Sequence, residues 1–233
     1  VITPPYNPVE LANFYDSNDS NITNVVFMGM GEPLLNFTPV VESAKIMKDQ
    51  LAYGLSRKRI TISTSGITPQ IDQLTSSIDV SLAISLHAPI DSLRDEIVPI
   101  NKKYPIKMLI NSCKNYLSFY EGKRSVTIEY ILIDGVNDSP ELARQLTKLL
   151  SNISCKINLI PFNPFDGSNY KRSNKDNINQ FKNILMKKGF ITTLRVTRGD
   201  AIDGACGQLV GKLTKSVKGK KLIKHQSISW VII

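Results

Sequence analysis

Apolar and polar positions along this chain fall into blocks whose period switches between that of a strand and that of a helix. Val25, Val26 and Phe27 form a short apolar run with β-branched residues, followed by Met28 to Gly31 and then Glu32-Pro33. A run this short, closed by Gly and Pro, predicts a buried strand emptying into a loop. Val40, Val41, Ala44, Met47 and Leu51 then recur at helical spacing, with Thr38 as the predicted N-cap and Pro39 at the first helical position.

The same order repeats downstream. Ile60 to Ser63 predicts a second strand, entered from the basic cluster Ser56-Arg57-Lys58-Arg59 and closed by Ser63-Thr64-Ser65-Gly66; Pro69 opens a helix carrying Ile71 and Leu74. Ile78, Val80, Leu82, Ile84 and Leu86 alternate with other residues, the period of a strand, which ends at Ser85-Leu86-His87. Arg94, Asp95 and Glu96 read as a charged loop leading to Asn101-Lys102-Lys103, and Pro105 begins a helix with the face Leu109, Cys113, Tyr116 and Tyr120. Val126 to Ile133 predicts a strand broken by Gly135, and Ser139-Pro140 caps a helix with Leu142, Leu146 and Leu149. Cys155, Ile157 and Leu159 alternate along a strand that finishes as Pro161-Phe162-Asn163-Pro164, and a polar, mobile loop follows from Phe165 to Asn174. Ile178, Phe181, Ile184 and Leu185 mark a helix ended by Gly189, and Thr192 to Thr197 a last strand.

Strands alternating with helices make the sheet parallel and the fold α/β, either a (β/α) barrel or an open α/β sheet. Residues 1–23, with three prolines and a run of Asn, Asp and Ser, read as a lead-in without a core of its own. Residues 24–211 form one unit with no dividing linker. Residues 212–233 form a tail with six lysines between Lys212 and Lys224 and an apolar end from Trp230 to Ile233. The chain opens on Val1 rather than Met, which points to a processed, truncated or excised piece.

Composition narrows the function. With 42% hydrophobic and 21% charged residues the chain is an ordinary soluble globular protein, and no apolar run approaches a membrane span of ~18 residues. A formal charge of +9 favours polyanion partners, nucleic acid first and membrane surface second, against the plainer alternative of solvated lysines. The basic stretches Ser56 to Arg59 and Lys212 to Lys224 are the predicted phosphate contacts. Cys113, Cys155 and Cys206 are far apart with no C-x-x-C pair, so they form neither a disulfide framework nor a metal site, and a reducing cytoplasmic location is expected.

The candidate chemistry lies at successive strand ends: Glu32, Ser63, Ser85, His87, Glu129 and Asn163. In a barrel those ends converge on the face where sites form. Gly29 and Gly31 allow a ligand to approach the backbone closely, and Glu32 suits a ligand carrying an ammonium group. Taken alone, the G-x-G-E-P stretch is equally a tight βα turn with a surface Glu, and His87 is equally a hydrogen-bonded histidine at a strand terminus. Gly204, Ala205 and Gly207 leave the sulfur of Cys206 unshielded, and Arg198 could lower its pKa; a small buried thiol in a turn fits the same residues. Cys113 and Cys155 belong to the apolar faces of their own elements.

Seven blocks, MGMGEPLLN, ITISTSG, SLAISLHAP, RDEIVPINKKY, VTIEY, KINLIPFNPF and TRGDAIDGACGQL, resemble in order the RlmN/Cfr family. These are radical S-adenosylmethionine enzymes that methylate adenine in large-subunit ribosomal RNA, and in the RlmN branch also in some transfer RNAs. The resemblance runs from about Asn24 to Gly211 and is closer to the RlmN branch, which acts on carbon 2 of adenine. It implies a radical-SAM partial TIM-like barrel and an electron donor such as flavodoxin. It also implies that Gly31, Glu32, Ser63, Ser85, Leu86, His87 and Asn163 contact S-adenosylmethionine and that Cys206 is the cysteine that is itself methylated. In the family one S-adenosylmethionine methylates this thiol, and a second is cleaved reductively at a [4Fe–4S] cluster to a 5′-deoxyadenosyl radical. That radical takes hydrogen from the methylcysteine, whose methylene radical adds to the adenine ring. The family holds that cluster through C-x-x-x-C-x-x-C, a pattern absent from these 233 residues. The resemblance therefore implies a C-terminal portion without the first barrel strand or the N-terminal helical domain. A non-catalytic remnant that binds RNA or S-adenosylmethionine is the alternative.

Overall fold

A computed structural model of the protein describes residues 23–28, 31–165 and 168–195. Strands β1 (Val25–Phe27), β2 (Ile60–Thr64), β3 (Ser81–Ser85), β4 (Val126–Leu132), β5 (Cys155–Pro161) and β6 (Ile191–Leu194) form one sheet in the order of the chain. Every neighbouring pair is parallel. Because each crossover steps the same way, right-handed connections place the helices on one face. The twisted sheet then curls around its other face, giving the partial (β/α) barrel expected from the sequence. Among the described residues β1 and β6 do not pair, so the barrel is open between them.

Helices α1 (Phe37–Lys48), α2 (Thr68–Ser77), α3 (Asp91–Ile97), α4 (Ile106–Phe119), α5 (Pro140–Leu149) and α6 (Lys175–Lys187) supply the outer layer. Ile62, Leu82, Ile128 and Leu159 of the sheet pack with Ala44, Ile71, Leu109, Leu146 and Phe181 of the helices in the main core. The alternate strand positions, Thr61 and Ser63, Ser81 and Ser85, Thr127 and Glu129, Lys156 and Asn158, occupy the inner face. Parallel sheets are usually apolar on both faces. Polar residues line much of the inner face here, and a second, smaller apolar cluster forms from Ala88, Ile97, Val98, Ile131, Ile133 and Phe162.

Several elements differ from the sequence expectation, each for a local reason. The first helix does not start at Thr38: a 3-10 turn, Pro33–Asn36, runs directly into α1, and Pro39 falls inside its first turn, where a missing N–H costs nothing. Leu51 has helical spacing but follows the C-cap Asp49 and is 98% exposed. Arg94, Asp95 and Glu96 are not a loop but the centre of α3, and Arg94 is fully buried. The alternating segment from Ile78 is strand only over Ser81–Ser85, and Tyr120 is the C-cap of α4 rather than part of its face. Part of the 165–174 loop is tied down, since Arg172 bridges to Ile133 and Ser173 is buried. Ser139 and Asn174 cap α5 and α6, their side chains accepting from the N–H groups of Leu142 and Asn177. The predicted lead-in up to residue 22, the region beyond Arg195 and Gly29 of the first loop lie outside the described residues.

Candidate functional site

The loop after β1 turns at Gly31, whose φ of +80° is the left-handed conformation that glycine adopts without steric cost. A Cβ built there would meet nothing within 4 Å, so the backbone borders open space. Glu32 is extended, as Pro33 requires, and its carboxylate points inward at 8% exposure. Oε1 accepts the Leu34 N–H at 3.1 Å and Oε2 the Ser65 N–H at 2.6 Å. One side chain thus caps the Pro33–Asn36 turn and ties the loop after β1 to the loop after β2. Burial pushes this carboxyl above the usual carboxylate range, and the two N–H bonds pull it back. The side chains of Thr64 and Ser65 act on the carboxyl in the same sense as the two N–H groups, and its negative charge at the cleft wall suits an ammonium group.

Glu129 lies directly across from Ser85 in the β3–β4 register and from Asn158 in the β4–β5 register. Ser63 donates its hydroxyl to Glu129 Oε2 at 3.1 Å. Burial raises the Glu129 carboxyl, while Ser63, the Arg195 charge and Asn158 act in the opposite sense. His87, just past β3, has φ +60°, a conformation uncommon outside glycine. Its Nδ1 accepts the Ile131 N–H at 3.2 Å, which leaves Nε2 to carry the proton. Burial first, and the Arg94 charge second, hold the imidazole pKa down to about 3, so His87 is a neutral ring at neutral pH. Asn137, fully buried, fixes this conformation by donating Nδ2 to the carbonyls of His87 at 2.9 Å and Ile131 at 2.7 Å, while its Oδ1 accepts the Ile133 N–H at 2.7 Å.

Together these side chains line a cleft at the C-terminal ends of the strands, bordered by Met28, Gly31, Glu32, Pro33, Ser63, Thr64, Ser65, Ser85, His87, Glu129, Ile131, Ile160 and Arg195. The structure therefore brings Gly31, Glu32, Ser63, Ser85 and His87 together. Leu86 is fully buried in the main core. Asn163, two residues past β5, is half-buried and not among the lining residues. Cys206 lies outside the described residues. Sequence reasoning missed Arg94, Ser65 and Arg195. For Arg94 the only available signal was the RDEIVPINKKY block; its buried setting comes from backbone carbonyls, which leave no mark in the sequence.

Gly66 follows Ser65 with φ +114°, and a Cβ there would stand 3.2 Å from Leu109 Cδ1 and 3.5 Å from Arg94 Nη2. Gly66→Ala is expected to destabilise the fold by roughly 1–3 kcal/mol, since the backbone strain has no compensating contact. Urea unfolding of the two proteins checks this, an unchanged midpoint being the contrary result.

No three His, Cys, Asp or Glu side chains gather as a metal site among the described residues. Cys113 is buried on the inward face of α4, and Cys155 is half-buried at the start of β5. Burial pushes their thiols up to about 12 and about 11. This donor set does not fit an iron–sulfur cluster. The cleft at the other end of the strands does fit a polar cation-bearing ligand. No described helix is long and apolar enough to cross a membrane.

An open (β/α) barrel with a carboxylate-bearing glycine loop at the top of its first described strand is the frame of one enzyme superfamily, and residues 3–146 match the model described as the Radical SAM superfamily. The chain belongs to that superfamily, whose members use S-adenosylmethionine and a [4Fe–4S] cluster. Within it, the chain is 58% identical over 195 residues to the dual-specificity RNA methyltransferase RlmN of Pseudomonas putida (strain W619), covering 84% of this chain and 51% of that protein. It is 56% identical over 216 residues to the RlmN of Marinobacter nauticus, covering 92% of this chain and 58% of that protein. Among solved structures, a radical SAM methyltransferase from Sphaerobacter thermophilus superposes with a TM-score of 0.80 at 42% identity, over 86% of this chain and 58% of that one. The resemblance to the RlmN/Cfr family read from the motif blocks stands. The chain spans about half the length of the curated relatives it matches.

Proposed function

We propose that this chain is the S-adenosylmethionine-binding and methyl-carrying portion of an RlmN-type methyltransferase acting on carbon 2 of adenine in large-subunit ribosomal RNA and some transfer RNAs. The observation that carries the reading is the convergence of Gly31, Glu32, Ser63, Ser85 and His87 on one cleft in a chain 58% identical to an RlmN. S-Adenosylmethionine, when bound, supplies a methyl group on a sulfonium centre. Glu32 accepts its ammonium, the open space beside Gly31 admits its methionyl part, and His87 offers a neutral N–H. Cys206 would serve as the thiolate acceptor of that methyl group, with S-adenosylhomocysteine as the leaving group. The RNA substrate, the flavodoxin-like electron donor and the cytoplasmic setting follow from the same kinship. The placement of Cys113 and Cys155 favours one alternative for the 233 residues by themselves, a unit that binds S-adenosylmethionine or RNA without radical chemistry.

Glu32→Gln tests the cleft. Removing the negative charge opposite an ammonium is expected to weaken S-adenosylmethionine binding by about 10- to 100-fold in a calorimetric titration. The wild-type affinity should also fall on acidification. Glu32 has a raised pKa in the empty cleft and must be ionised to hold the ammonium, so below that pKa binding has to expel a proton. Glu32→Gln flattens this dependence. Equal affinity and equal pH profiles for the two proteins would remove Glu32 from the site.

A further inference from the structure

Arg94 is fully buried, yet among the described residues it forms no ion pair within salt-bridge distance. Its guanidinium is spent on neutral oxygens. Nε donates to the carbonyl of Leu86 at 2.9 Å, Nη1 to Asn101 Oδ1 at 2.8 Å, and Nη2 to the carbonyls of Ser65 at 2.6 Å and Ser85 at 3.1 Å. Burying a charge this way is costly, and apolar packing of the same volume would serve stability as well. What the guanidinium contacts is therefore informative. Three of its four acceptors are backbone carbonyls of the two loops that line the cleft.

The loop after β3 shows the consequence. The carbonyls of Ser85 and Leu86 are held by Arg94 and that of His87 by Asn137, while the N–H groups of Leu86 and His87 both point at the Glu129 carbonyl, at 3.0 and 3.4 Å. No backbone polar group from Leu86 to His87 is left to water. On the other side, Arg94 fixes Ser65, whose own N–H donates to Glu32. One side chain thus links the loops after β1, β2 and β3. Its charge is balanced at one remove: Asn101 accepts from Arg94 and donates Nδ2 to Asp91 Oδ1 at 2.9 Å and Asp95 Oδ1 at 2.6 Å. Asp91 and Asp95 are two of the acidic residues of α3, and Asp91 Oδ1 also accepts the Ile106 N–H that starts α4.

We propose that Arg94 is a positioning residue of the cofactor cleft, its guanidinium clamping the loops after β2 and β3 so that Ser65, Ser85 and His87 face the ligand already in place. The inference rests on the reading of the cleft as the S-adenosylmethionine site. A lysine cannot replace this clamp, because a single ammonium cannot reach four acceptors arranged around a planar fork.

The test compares the 233-residue wild type with Arg94→Lys and with Asn101→Ala, the second keeping the guanidinium and removing one anchor. In hydrogen exchange, the segments 63–67 and 84–88 of Arg94→Lys are expected to exchange about tenfold faster, with β5 and α6 unchanged. S-Adenosylmethionine affinity is expected to fall by about tenfold or more in parallel, since the ordering cost then falls on binding. Asn101→Ala should show the same pattern in the same two segments at smaller amplitude. Unchanged exchange in both segments, or acceleration spread evenly over the sheet in both variants, overturns the clamp. Accelerated exchange with wild-type affinity overturns its role in binding. A wild type that binds no S-adenosylmethionine refutes the reading of the cleft instead, while the exchange comparison still decides whether Arg94 clamps the loops.

Discussion

When this chain is joined to a cluster-binding segment and assayed on ribosomal RNA, Cys206→Ala is expected to leave no methylated adenine. The loss should be at least ~10³-fold, the scale on which removing a covalent nucleophile slows an enzyme. The argument is one of separable roles. The proposed S-adenosylmethionine cleft is lined by Gly31, Glu32, Ser63, Ser85 and His87, while the proposed methyl carrier, Cys206, is a separate group. Cysteine is suited to accept the methyl group because its thiolate is a strong nucleophile, and Ala offers no acceptor atom. S-Adenosylmethionine binding should therefore survive in the Cys206→Ala protein while methyl transfer to RNA disappears. Mass spectrometry of nuclease-digested RNA reads the product, and calorimetry reads the binding. Methylated adenine formed by the Cys206→Ala protein would refute the assignment of the carrier.

Much of the barrel was legible because short β-branched runs and helical repeats carry their own period. The positions of Ile60, Leu82, Ile128 and Leu159 in the core follow directly from that alternation. The cleft was legible for a related reason: a parallel barrel gathers the C-terminal strand ends, so polar residues placed there must meet. Glu32, Ser63, Ser85, His87 and Glu129 do. What the sequence concealed were the interactions made with backbone atoms. Thr38-Pro39 looks like a helix start because Pro is tolerated throughout the first turn, while α1 begins at Phe37, directly after the Pro33–Asn36 turn that Glu32 caps. Arg94-Asp95-Glu96 looks solvated because three adjacent charges usually are. The carbonyls of Ser65, Ser85 and Leu86 that accept from the guanidinium become acceptors only once the loops have formed. Asn137 was hidden in the same way, since its partners are the main-chain groups of His87, Ile131 and Ile133.

Purified without air and supplied with iron and sulfide, the 233-residue chain alone is expected to stay colourless and to give no 5′-deoxyadenosine from S-adenosylmethionine. A [4Fe–4S] cluster is held by thiolates converging on one point, commonly from closely spaced cysteines. The chain has three cysteines in all. Cys113 is fully buried on α4 within the core, and Cys155 is the first residue of β5, whose seven residues put it about 20 Å from the cleft end of that strand. Burial, with Cys155 adding to it, pushes the Cys113 thiol up to about 12, and burial alone raises Cys155 to about 11. Both are therefore protonated at neutral pH, the wrong state for binding iron. Bringing them to the cleft would require pulling α4 and β5 out of the sheet core, which the loss of Leu109, Ile157 and Leu159 from that core makes prohibitive. Supplying a C-x-x-x-C-x-x-C segment from an RlmN, fused or in trans, should restore both the colour and the 5′-deoxyadenosine. Iron and sulfide analysis decides the matter. A stoichiometric cluster on the unaided chain would show that the thiols of Cys113 and Cys155 are not fixed where the core places them.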